Sequence, residues 1–118
     1  MARLKDRVDR VCQGLPGAQY SDPTDGSHEA WRVGDKMFAM LGDAYTRVSV
    51  KTADIETARL IIDAGVGERA PYFHRSWVAL RGDVSDDELR HRIVVSYDLI
   101  RAKLPKSLRD SFAPREGL

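Results

Sequence analysis

The chain has 118 residues and a mass of 13.3 kDa, the size of one domain, and we expect a single domain over residues 1–118. Its 19 lysines and arginines face 18 aspartates and glutamates, so the formal net charge is only +1. This balance argues against a strongly basic nucleic-acid-binding domain, because phosphate neutralisation normally needs a marked excess of basic residues. Any basic surface must therefore come from the separation of charges in space.

The composition also bears on the compartment. No apolar run approaches the roughly 20 residues that a membrane-spanning helix needs. The charged start of the chain, residues 1–7, lacks the apolar centre of a secretory signal. Cys12 is the single cysteine, which excludes an internal disulfide and favours a reducing compartment. We therefore expect a cytoplasmic protein with no membrane partner.

The first half of the chain is predicted to form a helix and then three strands. Apolar residues recur at helical spacing from Leu4 to Leu15, and Pro16-Gly17 ends the pattern. A turn-rich loop covers residues 21–27. Strands over residues 30–33, 36–41 and 45–51 are joined by turns at Gly34-Asp35 and Gly42-Asp43, which gives an antiparallel meander.

The second half is predicted to continue as helix, strand and helix. Asp54 caps a helix near residues 55–64, and a strand covers residues 77–81, with residues 69–73 as a further candidate strand. Ser85 and Glu88 form a capping box at the start of a long helix, which Pro105 interrupts before a last turn at 106–112. Helices at the N-terminus, middle and C-terminus, segregated from an antiparallel sheet, place the chain in the α+β class.

Short motifs occur in order along nearly the whole chain. They are Trp31, Gly34-x-Lys36-x-Phe38-Ala39, Val48-x-Val50-Lys51, Ala70-Pro71-Tyr72, Trp77-Val78, Ser96-Tyr97-x-Leu99 and Lys103-Leu104-Pro105-Lys106. This pattern resembles the MmcQ/YjbR family. The resemblance implies a small α+β fold similar to frataxin and to type III secretion chaperones. The family is usually labelled DNA-binding, by structural comparison with a double-wing arrangement of hairpins, and the resemblance supplies no catalytic residues.

One face of the predicted sheet is the best candidate for a functional surface. If Val48, Val50, Val78 and Leu80 face the helices, strand alternation places the residues between them on the opposite face. These residues are Tyr45, Arg47, Ser49, Lys51, Trp77 and Arg81. Interleaved aromatic and basic side chains can stack bases and neutralise phosphates, or can form a protein-interaction patch. In the alternative interpretation, the loop at 71–73 partly buries Trp77 and the charges are simply solvated.

The hairpin turns are the second candidate. Arg32 and Lys36 flank the first turn, which would be a wing in a DNA complex. Asp35 and Asp43 lie at the two turn tips and would repel phosphate. Both interpretations of the turns therefore stay open.

The third candidate is the loop that contains Tyr72, His74 and Arg75. A histidine beside an arginine can bind an anion. Loops of this kind more often close the edge of a sheet, and the sequence leaves both roles open.

Catalytic and metal-binding patterns are not found in the sequence. Cys12, His28, His74 and His91 lack ligand spacing, and there is no phosphate loop, dinucleotide fingerprint or Gly-x-Ser-x-Gly motif. Cys12 lies next to the apolar stripe of the first helix, so we expect a core or half-buried thiol. We expect no catalytic residue, metal or cofactor.

Two functional hypotheses follow. The leading one is a non-enzymatic DNA-binding module of the MmcQ/YjbR type, and its contact residues are Arg32, Lys36, Arg47, Lys51, Tyr72, His74, Arg75, Trp77 and Arg81. The competing hypothesis is a protein-interaction or chaperone-like adaptor, in which Trp77 and Tyr72 anchor a protein partner or a second copy of the chain.

Overall fold

The computed structural model describes residues 3–22, 29–42, 46–71 and 73–115. Within these ranges the helices are α1 (Leu4–Cys12), α2 (Ile55–Asp63), α3 (Asp86–Ala102) and α4 (Lys106–Ser111). The strands are β1 (Ala18–Ser21), β2 (Ala30–Val33), β3 (Lys36–Leu41), β4 (Arg47–Lys51), β5 (Gly67–Arg69) and β6 (Trp77–Arg81). They form one antiparallel sheet in the spatial order β1-β2-β3-β4-β6-β5.

The predicted α+β class and the three-stranded meander are confirmed. Strands β2, β3 and β4 are neighbours in chain order. The turn between β2 and β3 has positive φ at both Gly34 (56°) and Asp35 (67°), which is the backbone of a type I′ hairpin turn. The Asp54 and Ser85 caps also form, since their side chains accept backbone N–H groups at the starts of α2 and α3. The Glu88 side chain of the predicted capping box instead bonds to Arg92.

Three elements differ from the prediction. Strand β1 was missed, and it pairs antiparallel with β2 directly after Gly17. The candidate strand at 69–73 is instead β5, Gly67–Arg69, and helix α1 ends at Cys12 rather than near Leu15. Strands β1 and β5 are too short to show a period of two and, unlike the equally short β2, are not marked by a predicted two-residue hairpin turn. Residues 43–45, which include the predicted second turn, lie outside the described ranges.

Helices α1, α2 and α3 pack on one face of the sheet. The Trp31 indole donates to Asp9 Oδ1 of α1 (2.9 Å). The rings of Phe38 and Tyr97 meet edge to face, with centroids 5.4 Å apart, and connect β3 to α3. Fully buried residues of β3, β4 and β6 complete this core: Leu41, Val48, Val50, Val78 and Leu80. None of the described helices is long and apolar enough to cross a bilayer.

The opposite face is here called the outer face. Strand alternation places on it the residues that lie between the core positions. Pairing across the strands confirms the arrangement, since Arg47 lies opposite Arg81 and Lys51 lies opposite Trp77. The outer face includes Arg32, Arg47, Ser49, Lys51, Glu68, Trp77, Ala79 and Arg81.

Strand β3 contains a bulge at the place where α3 contacts the sheet. Trp31 pairs with Ala39 and Arg32 pairs with Met37, so Phe38 is left as the extra residue between them. The fully buried Ser96 of α3 bridges β3 and β4 just past the end of their pairing at Ala39 and Val50: its hydroxyl donates to the Phe38 carbonyl (2.6 Å) and accepts from the Lys51 N–H (2.9 Å). The side chain of a helix thus satisfies two strand backbone groups.

Cys12 is fully buried in the core, as the sequence predicted. Burial, together with the nearby Asp9 carboxylate, raises the pKa of its thiol, so the thiol stays neutral in the folded protein. We expect Cys12 to react with a disulfide reagent at mildly alkaline pH about a hundredfold more slowly in the folded protein than in denaturant. Absorbance of the released thiolate measures both rates, and a rapid stoichiometric reaction of the folded protein would contradict the prediction.

Candidate functional site

The outer face carries more basic than acidic side chains. Arg32, Arg47, Lys51 and Arg81 project from β2, β4 and β6, and Glu68 of β5 is the acid among the described strand residues of this face. Strand register brings these residues together, although they are far apart in the sequence. A chain of nearly neutral net charge therefore has a locally basic sheet face.

Arg47 and Arg81 form one end of this face. Like charges directly opposite each other on neighbouring strands repel, and Glu68 compensates for this repulsion. Its Oε2 lies 2.6 Å from Arg47 Nε, and its Oε1 lies 3.5 Å from Arg81 Nη1. The hydrogen bond from Arg47 is the main reason that the pKa of Glu68 is lowered, with both guanidinium charges adding to the effect. Glu68 is therefore an anion held between two cations.

The two arginines differ in how much of each is available to a ligand. Arg81 donates through Nη2 to the Gly65 carbonyl (2.8 Å) and lies 3.6 Å from Asp83, in addition to its contact with Glu68. Arg47 bonds to described residues only through Nε, and its side chain is 47% exposed. Both terminal nitrogens of Arg47 can therefore reach an incoming anion.

Two small side chains, Ser49 and Ala79, lie between the charged groups of β4 and β6 on the outer face, with Met40 on the other side of Ser49. Ser49 lies opposite Ala79, and Glu68 is the next residue in the same row. Ser49 and Ala79 are both buried under the longer side chains around them. The basic groups at the two ends of β4, Arg47 and Lys51, are separated by four residue steps, or about 13 Å. Strand β4 thus carries a cation at each end of this face.

Lys51 at the other end is partly held by its neighbours. Its ammonium donates to Ser76 Oγ (3.0 Å), and Ser76 Oγ lies 2.9 Å from His74 Nδ1. That ring nitrogen also accepts the Ser76 backbone N–H (3.1 Å). Burial, and then repulsion from Lys103, lowers the pKa of Lys51. His74 therefore organises the turn into β6, the loop-closing role that the sequence left open.

Trp77 contributes little exposed surface. It is 9% exposed, and its ring stacks on Phe73 with centroids 4.5 Å apart and planes 20° apart. The loop thus buries Trp77, as the alternative interpretation of the sequence stated. This leaves little of the ring for stacking on a base or a partner. Tyr72 lies outside the described residues, while Arg75 is exposed next to this loop.

The first hairpin turn is packed rather than projecting. A Cβ at Gly34 would lie 2.7 Å from a methyl group of Leu104, so the turn rests directly on the segment that follows α3. Arg32 donates to the Asp35 carbonyl (3.1 Å), which holds its guanidinium along the hairpin. Lys36 is exposed at the end of this turn. The second turn tip, Asp43, lies outside the described residues, so the wing contact stays a prediction.

A family model described as YjbR matches residues 13–99 of the chain. The chain belongs to the YjbR family. This confirms the resemblance found in the sequence motifs. A similar solved structure is the crystal structure of the Deinococcus radiodurans protein DR2400, which contains a DUF419 domain. The two chains share 24% identity with a TM-score of 0.79, over 94% of this chain and 88% of that chain, so they share a fold. A comparison with curated proteins finds no match.

All the outer-face residues fall within the part of the chain that matches the YjbR family, whereas α4 lies beyond it. Sequence reasoning missed two residues of this region, Glu68 and Ser76. Glu68 lies on β5, which was predicted too late in the chain, at 69–73, and the sequence around Glu68 does not show with which residue of β6 it pairs. Among the described residues, no group of three or more His, Cys, Asp and Glu side chains is placed to hold a metal ion.

Proposed function

We propose that this YjbR-family protein is a non-enzymatic, cytoplasmic protein that binds nucleic acid through phosphate contacts on its outer face. The observation that carries the proposal is the excess of Arg32, Arg47, Lys51 and Arg81 over Glu68 on one face of a nearly neutral chain. Segregated cations raise the local concentration of a polyanion, and contact with phosphates releases its counterions.

Duplex backbone contact fits the face better than base stacking does. Stacking on single strands requires exposed aromatic rings, and Trp77 is covered by Phe73. Arg47 and Lys51, about 13 Å apart along β4, span roughly four base-pair steps of a duplex. The competing adaptor hypothesis depends on Trp77 as an anchor, and its 9% exposure provides little contact area. Sequence-independent duplex binding is therefore favoured.

The expected result is salt-dependent binding of a fluorescently labelled DNA duplex, measured by anisotropy. Three to four phosphate contacts correspond to a slope of about −3 in a plot of log K against log salt concentration. Arg47→Gln removes one contact and should weaken binding about fivefold while reducing the slope by about 1.

Arg59→Gln is the matched control, because Arg59 is an exposed arginine on α2, which packs on the other face of the sheet. It removes the same charge and should change the affinity by less than about twofold. Thermal unfolding of each variant checks that the fold is intact. An absence of binding even at low salt, or equal effects of the two substitutions, would overturn the proposed function.

A further inference from the structure

Glu68 reaches its two arginine partners from an unusual position. Its strand, β5, is separated from β4 by β6, so the carboxylate must cross β6 to contact Arg47. Neighbouring strands lie about 4.8 Å apart, and the crossing is possible because the residue beneath, Ala79, has only a methyl side chain. The carboxylate therefore lies over the outer face, between two guanidinium groups from different strands.

The position that Glu68 occupies suits an oxyanion from outside the chain. Carboxylate and phosphate oxygens form the same charge-assisted hydrogen bonds with guanidinium groups. Arg47 and Arg81, opposite each other in the register, are the two groups that would converge on such an anion. When no external anion is bound, Glu68 holds the two arginines together, because its charge compensates for their mutual repulsion.

The carboxylate is not locked in place. The side chains of Arg47, Glu68 and Arg81 are 47%, 36% and 42% exposed. Ion pairs at this level of exposure contribute little net stability, because water solvates the separated groups well. The contact of Glu68 with Arg81 is also long, at 3.5 Å. Displacement of Glu68 by another anion is therefore inexpensive for the fold.

We infer that Glu68 is an internal competitor that occupies a phosphate position between Arg47 and Arg81 until a nucleic-acid backbone displaces it. This inference rests on the proposed function and adds a regulator to the same site. When DNA binds, a phosphate replaces the Glu68 carboxylate between the two arginines. The wild-type protein therefore binds DNA more weakly than it would if no carboxylate had to be displaced. Glu68 thereby limits unselective retention of polyanions.

The test compares the wild-type protein with Glu68→Gln by anisotropy on the same labelled duplex across a range of salt concentrations. Glutamine keeps the shape of the side chain and removes its charge, so the anion that lies between Arg47 and Arg81 is lost while the contacts of Arg81 with Gly65 and Asp83 stay. Removing this charge should raise the affinity at low salt about fivefold. One additional phosphate contact should also steepen the log–log salt slope by about 0.9. Glu68→Ala should give the same gain in affinity. The test then does not depend on the correct folding of a single variant.

Glu56→Gln is the matched control, because Glu56 is an exposed glutamate on α2, on the far side of the sheet. It should change the affinity by less than about twofold. If the wild-type protein binds and Arg47→Gln weakens it, but neither Glu68 variant binds more tightly, the competitor role is overturned and the proposed function stands. If wild-type and Glu68 variants all fail to bind at low salt, both are overturned. Polyglutamate serves as a polyanion without phosphates. If the Glu68 variants bind polyglutamate more tightly than the wild-type protein does but show no gain for DNA, nucleic acid is not the displacing ligand.

Discussion

Replacement of Ser96 by alanine is expected to lower the free energy of unfolding by about 2–4 kcal/mol. The Ser96 hydroxyl donates to the Phe38 carbonyl and accepts the Lys51 N–H, and the site is fully buried. Alanine removes the bonding partner of both backbone groups, since the β3–β4 pairing ends at Ala39 opposite Val50, one step before Phe38 and Lys51. An unsatisfied buried group costs about 1–3 kcal/mol, and here two are created at once.

Urea unfolding followed by circular dichroism measures this effect. Ser107→Ala is the control, because Ser107 is exposed on α4, and such surface changes usually stay within about 0.5 kcal/mol. A loss below about 0.5 kcal/mol for Ser96→Ala would mean that water or a shifted backbone replaces the hydroxyl, and would contradict the bridging role. A larger loss for Ser96→Val than for Ser96→Ala is also expected, since valine adds volume where the helix approaches the sheet.

The central part of the fold could be predicted because its signals are local. Gly34-Asp35 marks a two-residue turn, and alternation in β4 assigns Val48 and Val50 to the core. The caps Asp54 and Ser85 mark helix starts in the same way. Strands β1 and β5 were missed or misplaced, because they are held by pairing with β2 and β6 rather than by any pattern of their own.

The candidate site could be predicted only in part. Alternation was sufficient to place Arg47, Lys51, Trp77 and Arg81 on one face, and register confirms that placement. The properties of these residues depend on neighbours that come from distant parts of the sequence. Glu68 pairs with two of the arginines across the sheet, and Phe73 covers the tryptophan. Pairing across strands is a long-range property, so composition and periodicity could not reveal it.

Gly17 is another residue whose long-range contact could not be predicted from the sequence. Gly17 has φ +75°, and a Cβ there would lie 2.6 Å from the ring of Phe112. The sequence identifies Gly17 as a helix stop, but its second role is to admit an aromatic ring from almost a hundred residues further along the chain. The segment after Pro105 was predicted as a last turn, and the structure shows it packed closely against the start of the sheet.

Arg101→Ala is expected to release this C-terminal segment and to cost about 2 kcal/mol of stability. The Arg101 guanidinium donates to the carbonyls of Arg109 (3.2 Å), Phe112 (3.2 Å) and Ala113 (2.9 Å). It also donates to the Tyr97 hydroxyl (2.9 Å) and lies near the rings of Tyr97 and Phe112. One side chain therefore satisfies several carbonyls that end α4, and alanine removes every one of these contacts.

Hydrogen exchange should show the effect locally. We expect faster exchange of the amides over residues 105–115 in Arg101→Ala, while those of β3 and β4 change only in proportion to global stability. Arg90→Ala is the control, because Arg90 is an exposed arginine on the same helix and bonds to no described residue. Arg101→Lys should recover only part of the protection, since one ammonium cannot match the planar fork of a guanidinium. Unchanged exchange over residues 105–115 in Arg101→Ala would mean that packing of Leu108 and Phe112 alone holds the segment.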